Sequence, residues 1–384
     1  MNKKLARIIG LTAVALATAQ AMAADLKIGF ISSLSGPVAA LGVPYEKGIR
    51  AAIAEHPEIS GRKVQLIVLD DASDPTTAGR NARKLIEEEK VDVIMGTSGV
   101  PAAIAMAQVG RETKTPMIGL TPIGLPPADA EWLFTVAQPT PLMVNAVVEK
   151  MKANGVKTVA YIGFTDAWGD LVYDALLKAT EPAGIKVVAN ERYARSDQSV
   201  LGQATKIIAA NPDAVLVGAA GGGTVLPHTT LVERGYKGQI YQTHGAATPD
   251  FVRLGGKNVE GAVMAASLML VMDQVPDSNA SKKVALEYIS AYEKAYPGTK
   301  ASTFGANVYD AGLLLQKAVP IAAAKGKPGT PEFRSALRDA LEQTKELVGT
   351  QGVYTMTAAD HSGFDKRGRE LMQLKDGKWT LIPE

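Results

Sequence analysis

The chain has 384 residues, enough for two domains that each bury a core. Hydrophobic residues make up 46% and charged residues 21%, an ordinary composition for a soluble globular protein. The formal charge is only +2, and the absence of cysteine excludes disulfides, a lipid anchor on an N-terminal Cys and any thiol nucleophile.

Residues 1–24 stand apart. Lys3, Lys4 and Arg7 form a basic start, residues 8–17 a short apolar run, and Ala21-Met22-Ala23 an A-x-A cleavage signal. The apolar run is about half of the roughly 20 residues that span a bilayer. The pattern predicts a signal peptide over 1–23, cleaved near Ala23, rather than an uncleaved anchor. Without it, 38 basic residues face 39 acidic ones. A nearly neutral mature chain argues against a nucleic-acid partner. No later apolar run has spanning length, so an exported, soluble product is expected.

In chain order, residues 26–31 (LKIGFI) read as a strand, 32–37 as a loop and 45–54 as a helix. A strand over 64–69 ends at Asp70-Asp71. Asp74-Pro75 then caps a helix whose Ala78, Ala82, Leu85 and Ile86 form one apolar stripe. Residues 91–95 (VDVIM) read as a buried parallel strand. The small loop 96–100 leads to Pro101 at a helix start. This places backbone N–H groups and the Thr97 and Ser98 hydroxyls at a partly positive helix end, a place suited to a carboxylate. The plain alternative is an ordinary βα turn. A further strand covers 116–120.

The pattern then restarts. Residues 138–141 (QPTP) look like a crossing segment, followed by a helix over 142–153 and a strand over 158–163. The next helix carries Leu171, Val172, Ala175, Leu176 and Ala179 on one face. Strands over 185–188, 214–217, 239–243 and 259–265 alternate with helices over 198–210 and from the 218–223 loop to Arg234. Such alternation predicts parallel sheets with right-handed crossovers, in two α/β halves of four or five strands. Three helices follow, over 281–295, 303–324 and 330–341. The end alternates like antiparallel strands, with Asp376-Gly377 as a type I′ hairpin turn.

Candidate catalytic signals are weak. The glycine run 218–223 lacks G-x-G-x-x-G spacing, and His56, His228, His244 and His361 have no zinc-site spacing. There is no G-x-S-x-G elbow. Ser98 and His244 fall on strand-end loops of different halves, but no orienting acid accompanies them. No enzyme activity, cofactor or metal ion is expected. The positive signal is a set of strand-end loops rich in Gly, Ser and Thr: 32–36, 96–99, 121–124, 166–169, 219–223 and 243–245. They suit noncovalent capture of a small ligand by N–H and hydroxyl donors, with the Gly99 region on one side. Trp168 is read either as a ring over that ligand or as a core or rim residue.

The leader, the segments LKIGFISSLSGPVAALG and VLDDASDPTTAGRNARKLI, the loops GTSGVPAA and TDAWGD, and the helical then hairpin end carry a resemblance over residues 25–384. Together they resemble the periplasmic branched-chain amino-acid-binding proteins of ABC importers. The resemblance implies a type I periplasmic binding protein fold: two doubly wound, Rossmann-like α/β lobes with parallel sheets, joined by a hinge of three crossings. It implies lobe one over 25–140 plus 268–348, and lobe two over 141–267 plus 349–384. It also implies a periplasmic monomer that works with membrane permease subunits.

The resemblance implies roles for particular residues. Ser98, Leu120, Thr121 and Ile123 fall where the family holds the ligand carboxylate. Trp168 falls where the family has an aromatic over the ligand. Leu41 aligns with a family tyrosine, and glycine near Gly221 replaces family aromatics. His244 falls where the family has the acid that binds the α-ammonium group. An imidazole does not balance an ammonium as a carboxylate does. The expected ligand is therefore a small carboxylate, an aromatic or other organic acid, with a true branched-chain or polar amino acid as the alternative. A sensor subunit or an enzyme on the same fold is the rival of another class.

Overall fold

A computed structural model describes residues 24–383. The expected signal peptide lies outside the described residues.

The first sheet starts with β1 (Leu26–Ser32), buried at nearly every position as a central parallel strand must be. Helix α1 (Ala39–Glu55) follows, then a hairpin of β2 (Glu58–Ile59) and β3 (Arg62–Asp70). Ser60 and Gly61 both take positive φ in its turn, as a type I′ connection requires. Helix α2 (Pro75–Arg83) is capped by Asp74, which accepts the Thr77 N–H at 2.7 Å. Then come β4 (Val93–Gly96), α3 (Val100–Glu112), β5 (Met117–Gly119) and β6 (Leu133–Thr135). The order is β2-β3-β1-β4-β5-β6, parallel except for β2.

The second sheet is built from α4 (Thr140–Ala153), β7 (Thr158–Phe164), α5 (Ala167–Ala183), β8 (Lys186–Tyr193), α6 (Leu201–Ala210) and β9 (Ala214–Gly218). Helix α7 (Val225–Glu233), β10 (Gln239–Gln242), α8 (Pro249–Gly255) and β11 (Val263–Ala266) complete its parallel part. The chain then returns to the first sheet through α9 (Ala280–Ala295), α10 (Thr303–Ala323) and α11 (Pro331–Leu341). Leu314, Leu315, Val319, Phe333 and Leu337 of these helices share a core with Leu26, Ile28, Tyr45 and Ile49. A small ribbon of β12 (Leu347–Val348) and β13 (Val353–Tyr354) precedes β14 (Glu370–Lys375) and β15 (Lys378–Leu381). Strand β14 pairs antiparallel with β11 and β15 antiparallel with β14, giving the order β15-β14-β11-β10-β9-β7-β8.

The expected α/β architecture is therefore present. The three late helices lie within one residue of their predicted bounds, and Asp376-Gly377 turns with both φ positive. Three expectations need correction. Helix α1 starts at Ala39, not residue 45, and keeps Pro44 inside it. Burial of Leu41 and Tyr45, one turn apart on the core face, offsets the hydrogen bond that Pro44 cannot make. Strand β8 runs to Tyr193, five residues beyond the expected end. It is an edge strand, so its half-exposed Asn190, Glu191 and Arg192 hide the apolar pattern. The sheets hold six and seven strands rather than four or five.

Between the sheets the chain crosses after β6, after β11 and between β13 and β14. These crossings are tied together beside α10. The Thr350 N–H donates to Asp310 Oδ1 at 2.6 Å, and the Tyr354 hydroxyl donates to Asp310 Oδ2 at 2.7 Å. That hydroxyl also lies 3.2 Å from the Val136 carbonyl of the first crossing. Thr303 Oγ1 donates to Gln351 Oε1 at 2.5 Å, and Ser267, which follows β11, lies 2.6 Å from the same threonine.

Burial pushes the Asp310 carboxyl up to about 6, despite hydrogen bonds that lower it. A carboxyl raised in the folded state stabilises below its unfolded value, near 3.9, and loses that stabilisation as pH rises through about 6. The stability advantage of wild type over Asp310→Asn is thus expected to be larger at pH 4 than at pH 7, by roughly 2 kcal/mol. Urea unfolding of both proteins at the two pH values checks this; an advantage that is equal or larger at pH 7 contradicts it.

Candidate functional site

The carboxyl ends of strands from both sheets meet at one cavity. Its walls come from the loops after β4 (Ser98, Val100), β5 (Leu120, Thr121, Pro122) and β6 (Ala137), and from those after β7 (Trp168), β8 (Arg195), β9 (Ala220) and β10 (His244, Gly245). Helix α1 adds Leu41 and Tyr45, and α10 adds Phe304 and Asn307. The open space is about 30 Å³. That is room for two or three waters, so a larger ligand enters only when the walls part.

On the first-sheet side the backbone is packed unusually tightly. A Cβ on Gly42 would lie 1.9 Å from the Ser33 carbonyl oxygen, and one on Gly96, which has φ +151°, would lie 2.3 Å from that of Ile31. Both positions therefore require glycine. The same packing saturates the loop hydroxyls. Buried Asp71 accepts Ser33 Oγ at 2.7 Å and Thr97 Oγ1 at 2.5 Å. Ser98 Oγ accepts the Ser33 N–H and lies 3.2 Å from Ser32 Oγ. Because the Ser32 hydroxyl donates to the Gly42 carbonyl, Ser98 is the donor in the serine pair. Thr97 and Ser98 thus shape this wall, and their protons are committed inside it. In the first turn of α3, Pro101 has no N–H and the Ala103 N–H donates to the Gly99 carbonyl at 2.9 Å, so the donors that remain are the N–H groups of Val100, which borders the cavity, and Ala102, at the positive end of the helix dipole. The Thr121 hydroxyl also remains: it makes no hydrogen bond among the described residues and borders the cavity.

The opposite wall is organised by Asp166. Its Oδ1 accepts the Trp168 and Gly169 N–H groups at the start of α5, and its Oδ2 holds Arg195 Nε at 2.6 Å. The Arg195 guanidinium lies 4.2 Å over the Phe164 ring. Its two terminal nitrogens have no partner among the described residues, so a guanidinium edge is available to an anion. Trp168 is buried, and its ring meets His244 edge to face with centroids 5.7 Å apart. Burial pushes the His244 imidazole down from 6.5 to about 4, so it is neutral at pH 7. No aspartate or glutamate borders the cavity, and Arg195 is the charged residue among its lining.

Of the residues singled out from the sequence, Leu41, Ser98, Leu120, Thr121, Trp168 and His244 meet here. Gly99, Ile123 and Gly221 do not form the wall. Gly99 precedes α3 as its N-cap. Ile123 instead packs under the first sheet with Met117 and Leu133, and Pro122 takes the cavity-facing place. Gly221 opens a 3₁₀ turn at φ +60°, and its Cβ position lies 3.2 Å from Leu41 Cδ1 across the cleft. Sequence reasoning missed Arg195, because ending the eighth strand at residue 188 left that arginine far from a strand end. It also missed Tyr45, Phe304 and Asn307, which lie on helices rather than strand-end loops. Among the described residues there is no cluster of His, Asp or Glu placed to hold a metal. No described helix is long and apolar enough to cross a membrane.

The profile described as "Periplasmic binding protein" matches residues 25–378. The chain belongs to the periplasmic binding protein family. The resemblance to its branched-chain amino-acid-binding members holds over the whole chain. A Leu/Ile/Val-binding protein homologue of Brucella melitensis is 26% identical, covering 98% of this chain and 99% of its own. Among solved structures, an extracellular ligand-binding receptor from Rhodopseudomonas palustris is 44% identical with a TM-score of 0.90, covering 94% of this chain and all of its own. An ABC-transporter solute-binding protein from R. palustris, solved with benzoate, is 22% identical with a TM-score of 0.78, covering 93% and 95% of the two chains. At that identity it shows a shared fold.

The close approach at Gly42 yields a direct test. Gly42→Ala is expected to push α1 off the Ser33 loop, costing about 1–3 kcal/mol of stability. Chemical denaturation measures this, and an unchanged midpoint would show that the loop yields freely.

Proposed function

We propose that this periplasmic binding protein is the solute-binding component of an ABC importer and captures a small organic acid that lacks an α-ammonium group. One observation carries the reading: the cavity presents a guanidinium and helix-start N–H groups, and no carboxylate. A bound carboxylate gains charge-assisted hydrogen bonds in such a place. An α-ammonium group meets the neutral His244 and no counter-charge, and an unbalanced buried charge is costly. The benzoate held by a protein of the same fold is compatible with this reading. The names of the Leu/Ile/Val-binding relatives favour the second reading, a true branched-chain amino acid.

In the proposed cycle the protein works in the periplasm as a monomer. Lobe one comprises 25–140 plus 268–348, and lobe two comprises 141–267 plus 349–384. They part at the three crossings, admit the acid and close over it, and the closed form engages the permease subunits. First-turn N–H groups of α3 and Thr121 hold the carboxylate from lobe one, and Arg195 faces it from lobe two. Trp168 and Leu41 cover the apolar body. Ser98, Leu120 and His244 form walls, and Gly99 and Gly221 shape the backbone around them. The chain's own groups carry out binding and closure, and the ligand leaves chemically unchanged.

Isothermal titration with benzoate, 4-hydroxycinnamate, leucine and valine tests the reading. Binding of at least one acid and none of the amino acids is expected. Tight leucine binding without acid binding would overturn it in favour of the second reading. Arg195→Gln is expected to weaken acid binding by at least tenfold, the loss of one charge-assisted pair. An unchanged dissociation constant would remove Arg195 from the site.

A further inference from the structure

Behind the Trp168–His244 pair lies a second, smaller chamber inside the second-sheet half. Trp168 and His244 border both it and the main cavity. Most of its wall is apolar, with Met143, Val147 and Leu216 among the contributors. Three residues on that wall nevertheless carry buried polar atoms without a hydrogen-bond partner: Thr140 Oγ1, Trp168 Nε1 and Gln242 Oε1. Each of these side chains is more than nine-tenths buried. Orphaned buried polar atoms are rare in native proteins, and three around one chamber mark a place built for a polar guest.

The chemistry of the trio is specific. Trp168 Nε1 only donates. Gln242 is oriented by its other end: its Nε2 lies 3.1 Å from His228 Nδ1 and 3.4 Å from the Thr224 carbonyl oxygen. A carbonyl only accepts, so the amide nitrogen faces Thr224 and Oε1 is the free atom. Gln242 Oε1 therefore only accepts, and Thr140 Oγ1 does either. A hydroxyl meets this set fully, since it accepts from the indole N–H and donates to the amide oxygen. A carboxylate has no proton for Gln242, and an ammonium has no lone pair for Trp168. Burial keeps the nearby His228 and His244 neutral, both pushed down to about 4, so no charge in the chamber favours an ion.

We propose that this chamber is a neutral-hydroxyl subsite of the cleft, which takes the distal hydroxyl of an organic acid whose carboxylate sits at the main cavity. This rests on the organic-acid reading and narrows it to hydroxylated acids. The chamber now encloses about 10 Å³, the size of a single water. A water and a ligand hydroxyl satisfy the same three atoms, and the hydroxyl takes the water's place when Trp168 and His244 shift on ligand entry.

Matched acids test the inference by titration calorimetry: benzoate against 4-hydroxybenzoate, and the longer cinnamate against 4-hydroxycinnamate. In at least one pair the hydroxylated acid is expected to bind wild type at least tenfold more tightly. Thr140→Val keeps the shape and removes one polar atom, and Trp168→Phe removes the indole N–H together with part of the ring. Each is expected to bring that ratio within about threefold of one, while Thr140→Ser retains it. A ratio of two affinities in one variant cancels any general loss of binding. Equal affinity within both pairs in wild type overturns the inference, leaves the organic-acid reading standing and assigns the chamber to water. A preference that survives Thr140→Val and Trp168→Phe also overturns it. Failure of every acid to bind overturns both readings.

Discussion

The Asp310 carboxylate is the constraint on which the two-sheet arrangement depends. A buried acid is costly unless its oxygens are satisfied, and those of Asp310 are satisfied by Thr350 and Tyr354 of the β12–β13 ribbon that leads into the third crossing. Tyr354 also reaches the first crossing, and Thr303, two turns before Asp310, reaches the second through Ser267. All three connections between the sheets thus converge on the first half of α10. That same stretch presents Phe304 and Asn307 to the cavity between the sheets. The segment that holds the crossings in register is therefore also part of the site.

The site has a divided character. On the first-sheet side, glycine and small hydroxyl residues permit backbone to approach backbone, and Asp71 and Ser98 use their hydrogen-bonding capacity within the wall. What that side offers to a ligand is mainly the end of a helix. On the second-sheet side, Asp166 spends one oxygen on the start of α5 and the other on Arg195. It thereby positions Trp168 and a guanidinium with the same side chain. Desolvation leaves His244 neutral, so the cavity shows a ligand the free guanidinium edge of the Arg195–Asp166 pair and the α3 dipole. Both favour an anion.

Much of the architecture was readable from the chain. Alternating apolar strands and striped helices, and caps such as Asp74-Pro75, are local signals, and they held. The misread edges have local causes too. The first helix starts six residues before the expected 45, because the burial of Leu41 and Tyr45 that keeps Pro44 inside it is not visible in the sequence. The polar end of β8 hid an edge strand, and with it the place of Arg195. The strand-end loops led to Ser98, Thr121, Trp168 and His244, but no local signal says which face of a loop looks inward, and Ile123 turned the other way.

What the sequence by itself determined is the set of elements and the sheet ends that border the cavity, because periodicity, capping and turn chemistry act over a few residues. Only the tertiary structure decided what stands around that cavity. The Asn307 amide meets the Leu120 carbonyl across 187 residues of chain, and Tyr45 meets the same carbonyl across 75. The committed hydroxyl of Ser98, the neutral state of His244 and the orphaned atoms of Thr140, Trp168 and Gln242 arise the same way. Each depends on which distant groups burial brings within hydrogen-bond reach and which it leaves without water.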